Sequence, residues 1–137
     1  MALTHLLGTS ALKRLHHPQV HDHIKELSEV GRLARPTICD LEVGFSARNV
    51  PEWDALMGAL EIFDLVETTA DDLHRALGVQ RRLAELSQRG RKIPDLLVAA
   101  AAEARNLTAL HFDADFDLIA SVTGQRCEWV VPAGSID

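Results

Sequence analysis

The stretch that most constrains this chain is Leu96 to Ala102, introduced by Ile93-Pro94-Asp95. Every residue of the run is apolar, and four consecutive alanines, Ala99 to Ala102, make it a strong helix former. A helix apolar on all sides belongs in the middle of a domain. Asp95 falls in its first turn, just after a proline, where free N–H groups and the helix dipole favour a carboxylate. An acid at the mouth of the most buried helix is either a cap or part of a site.

The segments around this helix alternate between short apolar runs and amphipathic stretches. Strands are expected at Leu3 to Leu7, Arg35 to Thr37, Ile62 to Val66, Leu107 to Phe112 and Glu128 to Val131. Helices are expected over Ala11 to Leu15, from Pro18 to Gly31, from Ile38 to Ala47, from Pro51, from Thr69 to about Arg89-Gly90, and over Asp115 to Ser121. Thr37 with Asp40, and Thr69 with Asp72, have the spacing of capping boxes. The stripe Val20, Ile24, Leu27 and the pattern Trp53, Leu56, Met57, Leu60 read as core. Short apolar strands alternating with helices indicate a three-layer α/β/α fold with a mainly parallel sheet of about five strands. At 137 residues, one domain spanning 1–137 is expected.

Composition narrows the function. With 47% apolar and 25% charged residues, no run of membrane-spanning length and no basic flank at the N-terminus, the chain reads as a cytoplasmic globule. Two cysteines, Cys39 and Cys127, lack metal or redox spacing. A net charge of −6 argues against a general nucleic-acid coat but leaves room for a local basic face. Arg81, Arg82, Arg89, Arg91 and Lys92 form such a face just before Asp95, where they could hold RNA phosphates or simply be solvated. His16, His17, His21 and His23 straddle Pro18 with no cysteine nearby, and read as a polar surface rather than a zinc site. With four Phe, two Trp and no Tyr, base stacking is a poor source of RNA affinity.

The acids are more informative. In the helix from Ile38, the slots Ile38, Leu41, Glu42 and Phe45 share one face, so Glu42 is expected to point inward unless it snorkels out or meets Arg48. Glu42, Asp95, Asp113 and Asp115 lie far apart in sequence, each near an element end or on an inward face. Carboxylates without histidine or thiol companions suit a hard divalent ion, Mg²⁺ or Mn²⁺. Such an ion supports phosphodiester hydrolysis. In parallel sheets, sites form beyond the carboxyl ends of strands, here Gly8-Thr9-Ser10 and His111 to Asp115.

Taken together, these motifs resemble the PIN-domain ribonucleases, specifically the VapC-type toxins of bacterial toxin–antitoxin pairs. The carriers are Leu6-Leu7-Gly8-Thr9-Ser10-Ala11-Leu12, Leu41-Glu42-Val43-Gly44, Pro94-Asp95-Leu96-Leu97-Val98-Ala99-Ala100, and Asp113-Ala114-Asp115-Phe116 with Asp117-Leu118-Ile119-Ala120. The resemblance runs from about Leu3 to Val131. It implies a Mg²⁺- or Mn²⁺-dependent endoribonuclease acting on RNA such as tRNA or rRNA, usually a homodimer, and held inactive in a hetero-oligomer by a VapB-type antitoxin. It implies Asp95, Asp113, Glu42 and Asp115 as metal ligands, with a hydroxyl from Thr9 or Ser10 beside them. It also implies that the helices Pro18–Val30 and Ile38–Ala47 line part of the antitoxin groove.

The chain departs from the family at position 8, where Gly8 stands in place of the first metal-binding aspartate. A weakened or inactive nuclease follows from that loss. A non-enzymatic pseudo-nuclease that binds antitoxin or RNA is the alternative. A receiver-like domain lacks support, because that fold's acidic pair after the first strand and its late lysine are missing.

Overall fold

The computed structural model describes residues 2–137. Five strands, β1 (His5–Leu7), β2 (Leu33–Pro36), β3 (Asp64–Val66), β4 (Thr108–His111) and β5 (Cys127–Trp129), form one sheet in the order β3-β2-β1-β4-β5. Every pairing is parallel, with Leu6 opposite both Ala34 and Ala109 and Leu7 opposite Leu110. Seven helices connect them: α1 (Thr9–Leu12), α2 (Pro18–Glu29), α3 (Thr37–Phe45), α4 (Val50–Leu60), α5 (Ala70–Glu85), α6 (Ile93–Ala104) and α7 (Asp115–Thr123).

Side-chain alternation along the strands divides the interior into two layers. Leu6, Ala34 and Ala109 face a core made with α5, α6 and α7, in which Val98 to Ala102 are almost wholly buried. Leu7, Leu33 and Leu110 face the opposite layer, with Val20 and Ile24 of α2 and with Leu60 and Phe63. The alanines of α6 let that helix lie close against the sheet. Among the described residues, no helix is long and apolar enough to cross a membrane.

Several expected boundaries move. Helix α5 stops at Glu85, ahead of Gly90, because Ser87 takes a left-handed conformation (φ 60°) and the Gln88 and Ser87 amides donate to the Leu83 and Ala84 carbonyls. β3 begins at Asp64, and Ile62 is exposed. The helix expected over Ala11 to Leu15 is a single turn starting at Thr9.

The inward face of α3 is also different from the expected one. Leu41 and Phe45 are 67% and 91% exposed, and Cys39 is the residue that α3 buries. Trp53 is likewise half exposed, so only Leu60 of its pattern is fully buried. The Thr69–Asp72 capping box forms, but the one at Thr37 does not. Asp40 instead accepts from Arg35 Nε at 2.8 Å, and the Thr37 hydroxyl accepts from the Thr68 amide at 3.1 Å.

The chain leaves β1 toward β2 on one side and returns to β4 on the other, which opens a crevice past the carboxyl ends of β1 and β4. Two bonds close these ends together. The Gly8 amide donates to the Leu110 carbonyl at 2.8 Å, and the Phe112 amide donates to Ser10 Oγ at 2.9 Å.

Candidate metal centre

The crevice is a cleft of about 190 Å³ lined by Thr9, Ser10, Lys13, Arg14, Glu42, Lys92, Asp95, Phe112 and Asp113. Three residues expected from far-apart stretches, Glu42, Asp95 and Asp113, therefore share one space. Thr9 joins them: its hydroxyl donates to Glu42 Oε1 at 2.7 Å. Glu42 reaches the cleft from a half-buried position on α3, so the expectation of a deeply inward carboxylate is corrected to a cleft-facing one.

Asp95, Asp113 and Asp115 each offer an oxygen, and the three oxygens lie within 4.8 Å of one another. The turn after β4 builds this group. His111 is fully buried, stacked on Phe116 with ring centroids 4.5 Å apart, and its Nδ1 accepts the Asp113 amide at 3.2 Å. Asp113 Oδ1 in turn accepts the Asp115 amide at 2.9 Å, which starts α7. Burial pushes the His111 imidazole down to about 4, so it is a neutral acceptor at this turn.

Asp95 does not close a capping box on α6. A capping carboxylate at this position would accept the Lys92 amide. That amide goes to Asp115 Oδ2 instead, at 3.2 Å. Asp95, beside the Asp113 carboxylate, is only 8% exposed, and among the described residues no N–H or hydroxyl donates to its buried Oδ2. Burial, and then the adjacent Asp113 charge, push its carboxyl up to about 7, against the opposing pull of Lys92. Burial also acts to raise Asp113, but the Lys92 ammonium and the Asp115 amide outweigh it and hold Asp113 below the usual carboxylate range.

A hard cation fits these residues. The donors are all carboxylate oxygens gathered within 4.8 Å of one another, the oxygen ligand set that a hard divalent cation takes. Asp95, Asp113 and Asp115 could hold the ion, with Glu42 facing them from across the cleft.

The basic residues divide. Arg91 Nη1 donates to Asp115 Oδ1 at 3.0 Å, and Lys92 Nζ donates to Asp113 Oδ2. Arg81 and Arg82 both pair with Glu85 on the last turns of α5. Arg89 gives its carbonyl to Arg91. Two cleft residues escaped the sequence reading, Lys13 and Arg14. They follow Thr9-Ser10 by one helical turn, and that spacing was the available signal. Arg14 lies over the Phe112 ring, 4.5 Å from its centroid, and donates to the Ser10 carbonyl at 2.7 Å, while Lys13 is exposed at the rim.

A doubly wound parallel sheet with acids gathered past β1 and β4 matches known proteins. The family model described as PIN domain covers residues 6–122, and the chain belongs to the PIN-domain family. Its relatives there are VapC proteins. It is 62% identical over 137 residues, the whole of both chains, to Ribonuclease VapC51 of Mycobacterium tuberculosis. It is 39% identical over 140 residues to Ribonuclease VapC21 of the same species, covering 98% of this chain and 99% of that one. In fold it is similar to DNA-bound VapBC from Salmonella typhimurium, with a TM-score of 0.77 at 14% identity over 94% of this chain and 99% of that one.

Proposed function

We propose that this chain is a divalent-metal-dependent endoribonuclease of the VapC toxin type, weakened by Gly8. The observation that carries the reading is the meeting of Glu42, Asp95 and Asp113 in one cleft, with a buried Asp95 oxygen that accepts no hydrogen bond from an N–H or hydroxyl among the described residues. Relatives named as ribonucleases along the whole chain support the activity. When bound, Mg²⁺ or Mn²⁺ supplies Lewis-acid stabilisation of the phosphodiester and lowers the pKa of water. Asp95, Asp113 and Asp115 would hold the ion together with Glu42, whose orientation Thr9 fixes, and Lys13 at the rim would attract the RNA phosphates, joined by the basic residues from Arg81 to Lys92. The substrate is structured RNA of the tRNA or rRNA kind, and the compartment is the cytoplasm.

The partner is a VapB-type antitoxin, in a hetero-oligomer built on a VapC homodimer. Solved VapBC complexes share this fold. Leu41 and Phe45 on α3 and Val50 on α4 are exposed apolar residues suited to a partner's apolar helix face.

Gly8 favours a second reading, a pseudo-nuclease that binds antitoxin or RNA without cutting. One experiment separates the two. Gly8→Asp should raise Mg²⁺-dependent cleavage of total tRNA and rRNA, and EDTA should abolish the gain. A revertant as inert as the parent, still binding antitoxin tightly, would establish the pseudo-nuclease.

A further inference from the structure

Two of the chain's own cations are seated on the acid cluster. Lys92 Nζ donates to Asp113, Arg91 Nη1 donates to Asp115 at 3.0 Å, and the Lys92 amide donates to Asp115 at 3.2 Å. All three donors come from the segment 87–92, which has no regular structure and joins the end of α5 to the start of α6. The segment bends through left-handed conformations at Ser87 (φ 60°) and Gly90 (φ 85°) before reaching the acids. The Lys92 side chain is 64% exposed, and its flexible stem can carry the ammonium into solvent. Facing these cations is Asp95, more than nine-tenths buried, with an Oδ2 that no N–H or hydroxyl among the described residues reaches.

We propose that the 87–92 segment is a counter-ion strap, in which Lys92 and Arg91 occupy the acid cluster until a divalent ion is taken up and then leave it. The proposal rests on the reading of these acids as a metal site. An ammonium and a divalent cation repel strongly when they share carboxylates only a few ångströms apart. Asp113 cannot serve both at full strength. The acids are held in place by the His111 turn and by α6, whereas Lys92 reaches them with an exposed side chain and Arg91, though half-buried, comes from the same irregular segment, so the cations are the side that moves. Once released, Lys92 and Arg91 lie beside the cleft with their charges free for RNA phosphates. Ion uptake and substrate binding are thereby coupled through one segment.

The test is Mn²⁺ binding to the full chain, followed by the electron-paramagnetic-resonance signal of the free ion. Lys92→Met, which removes the competing charge, should bind Mn²⁺ about tenfold more tightly than the parent. Lys25→Met, which removes an equally exposed lysine on α2, should match the parent. Mn²⁺ should also speed trypsin cleavage of the parent after Arg91 and Lys92, as the strap is freed. Equal or weaker Mn²⁺ binding by Lys92→Met, or protection of the strap by Mn²⁺, overturns the proposal. If the strap fails in this way while Asp95→Asn abolishes Mn²⁺ binding, the metal site stands without it. If neither the parent nor Lys92→Met binds Mn²⁺, the metal site and the strap fall together.

Discussion

Thr9 and Glu42, 33 positions apart, are joined by a 2.7 Å hydrogen bond that ties the first turn after β1 to helix α3. Thr9 is buried and Glu42 half-buried, so the bond is shielded from water on one side. Its consequence is positional. Without the hydroxyl, the Glu42 carboxylate is free to turn toward solvent, away from the other acids.

Thr9→Val keeps the side-chain shape and removes the donor. A hydrogen bond to a charged group contributes about 1.5–3 kcal/mol, and partial exposure places this one near the lower end. Thr9→Val should lower stability by about 1.5 kcal/mol in urea denaturation and weaken Mn²⁺ binding several-fold, whereas Thr9→Ser should restore both. Unchanged Mn²⁺ affinity in Thr9→Val would show that Glu42 has no part in holding the ion.

The perturbed carboxyl and imidazole at the site act on stability in opposite directions. Asp95 carries a proton up to about pH 7 when folded but releases it near 3.8 when unfolded, so its contribution falls as pH rises across that range. His111 stays neutral down to about pH 4 when folded but takes up a proton below 6.5 when unfolded, so its contribution falls as pH drops. Between about pH 4 and 6.5 the two slopes oppose each other, each worth on the order of 2–3 kcal/mol over the window. Asp95→Asn should expose the His111 slope, making the protein markedly more stable at pH 6.5 than at 4.5. His111→Asn should expose the reverse slope. Denaturant titrations of the two variants at five pH values check the signs, and parallel profiles would rule out the opposition.

Asp72 should matter to the fold as Asp95 matters to the site. It is 2% exposed, closes the Thr69 capping box and pairs with Arg105 Nη1 at 3.2 Å. Losing a buried partner of this kind costs about 3–5 kcal/mol. Arg105 is partly exposed, which lowers the figure for Asp72→Ala to about 3 kcal/mol. Thr69→Ala should cost only about 1 kcal/mol. Urea denaturation of Asp72→Ala, Arg105→Ala and the double variant gives the coupling between the pair, and Thr69→Ala is measured beside them.

The contrast between the two cap signatures shows what the sequence could and could not convey. Thr69 and Thr37 have the same spacing to an acid, but only Asp72 lacks a competing cation in its own strand–turn segment. Arg35, two residues before Thr37, draws Asp40 away, and α3 starts at Thr37 itself with Pro36 as its N-cap, a shift the spacing alone does not reveal. The buried helix α6, the order of strands and helices, and the parallel sheet were legible because apolar periodicity is a local property. The exposure of Leu41 and Phe45 was not, because periodicity marks an apolar face without saying whether this chain or a partner covers it. The site followed the same divide. Its acids were legible as odd residues at element ends. The seating of Lys92 and Arg91 upon them depends on how an irregular segment bends, and His111 is a buried acceptor whose role appears only once the β4 turn is formed.

Gly8 offers the sharpest test of why the site is built as it is. Its backbone (φ −86°, ψ 146°) is open to any residue, so conformational freedom does not explain a glycine here. Space is tighter: a Cβ would lie 3.1 Å from the Leu110 carbonyl oxygen and 3.7 Å from both the Phe116 ring and His111 Cβ. Gly8→Ala measures that crowding alone and should lower stability by about 1 kcal/mol without strengthening Mn²⁺ binding. Gly8→Asp meets the same crowding but adds a carboxylate beside Thr9, at the end of β1. It should match the alanine variant or fall below it in metal-free stability, because a further negative charge joins acids that already raise Asp95. With Mn²⁺ present it should surpass both the alanine variant and the parent, binding the ion about 10–100-fold more tightly than either. Calorimetric titration of the three proteins decides the matter: equal Mn²⁺ affinity in all of them would mean that position 8 does not reach the ion and that glycine there costs the site nothing.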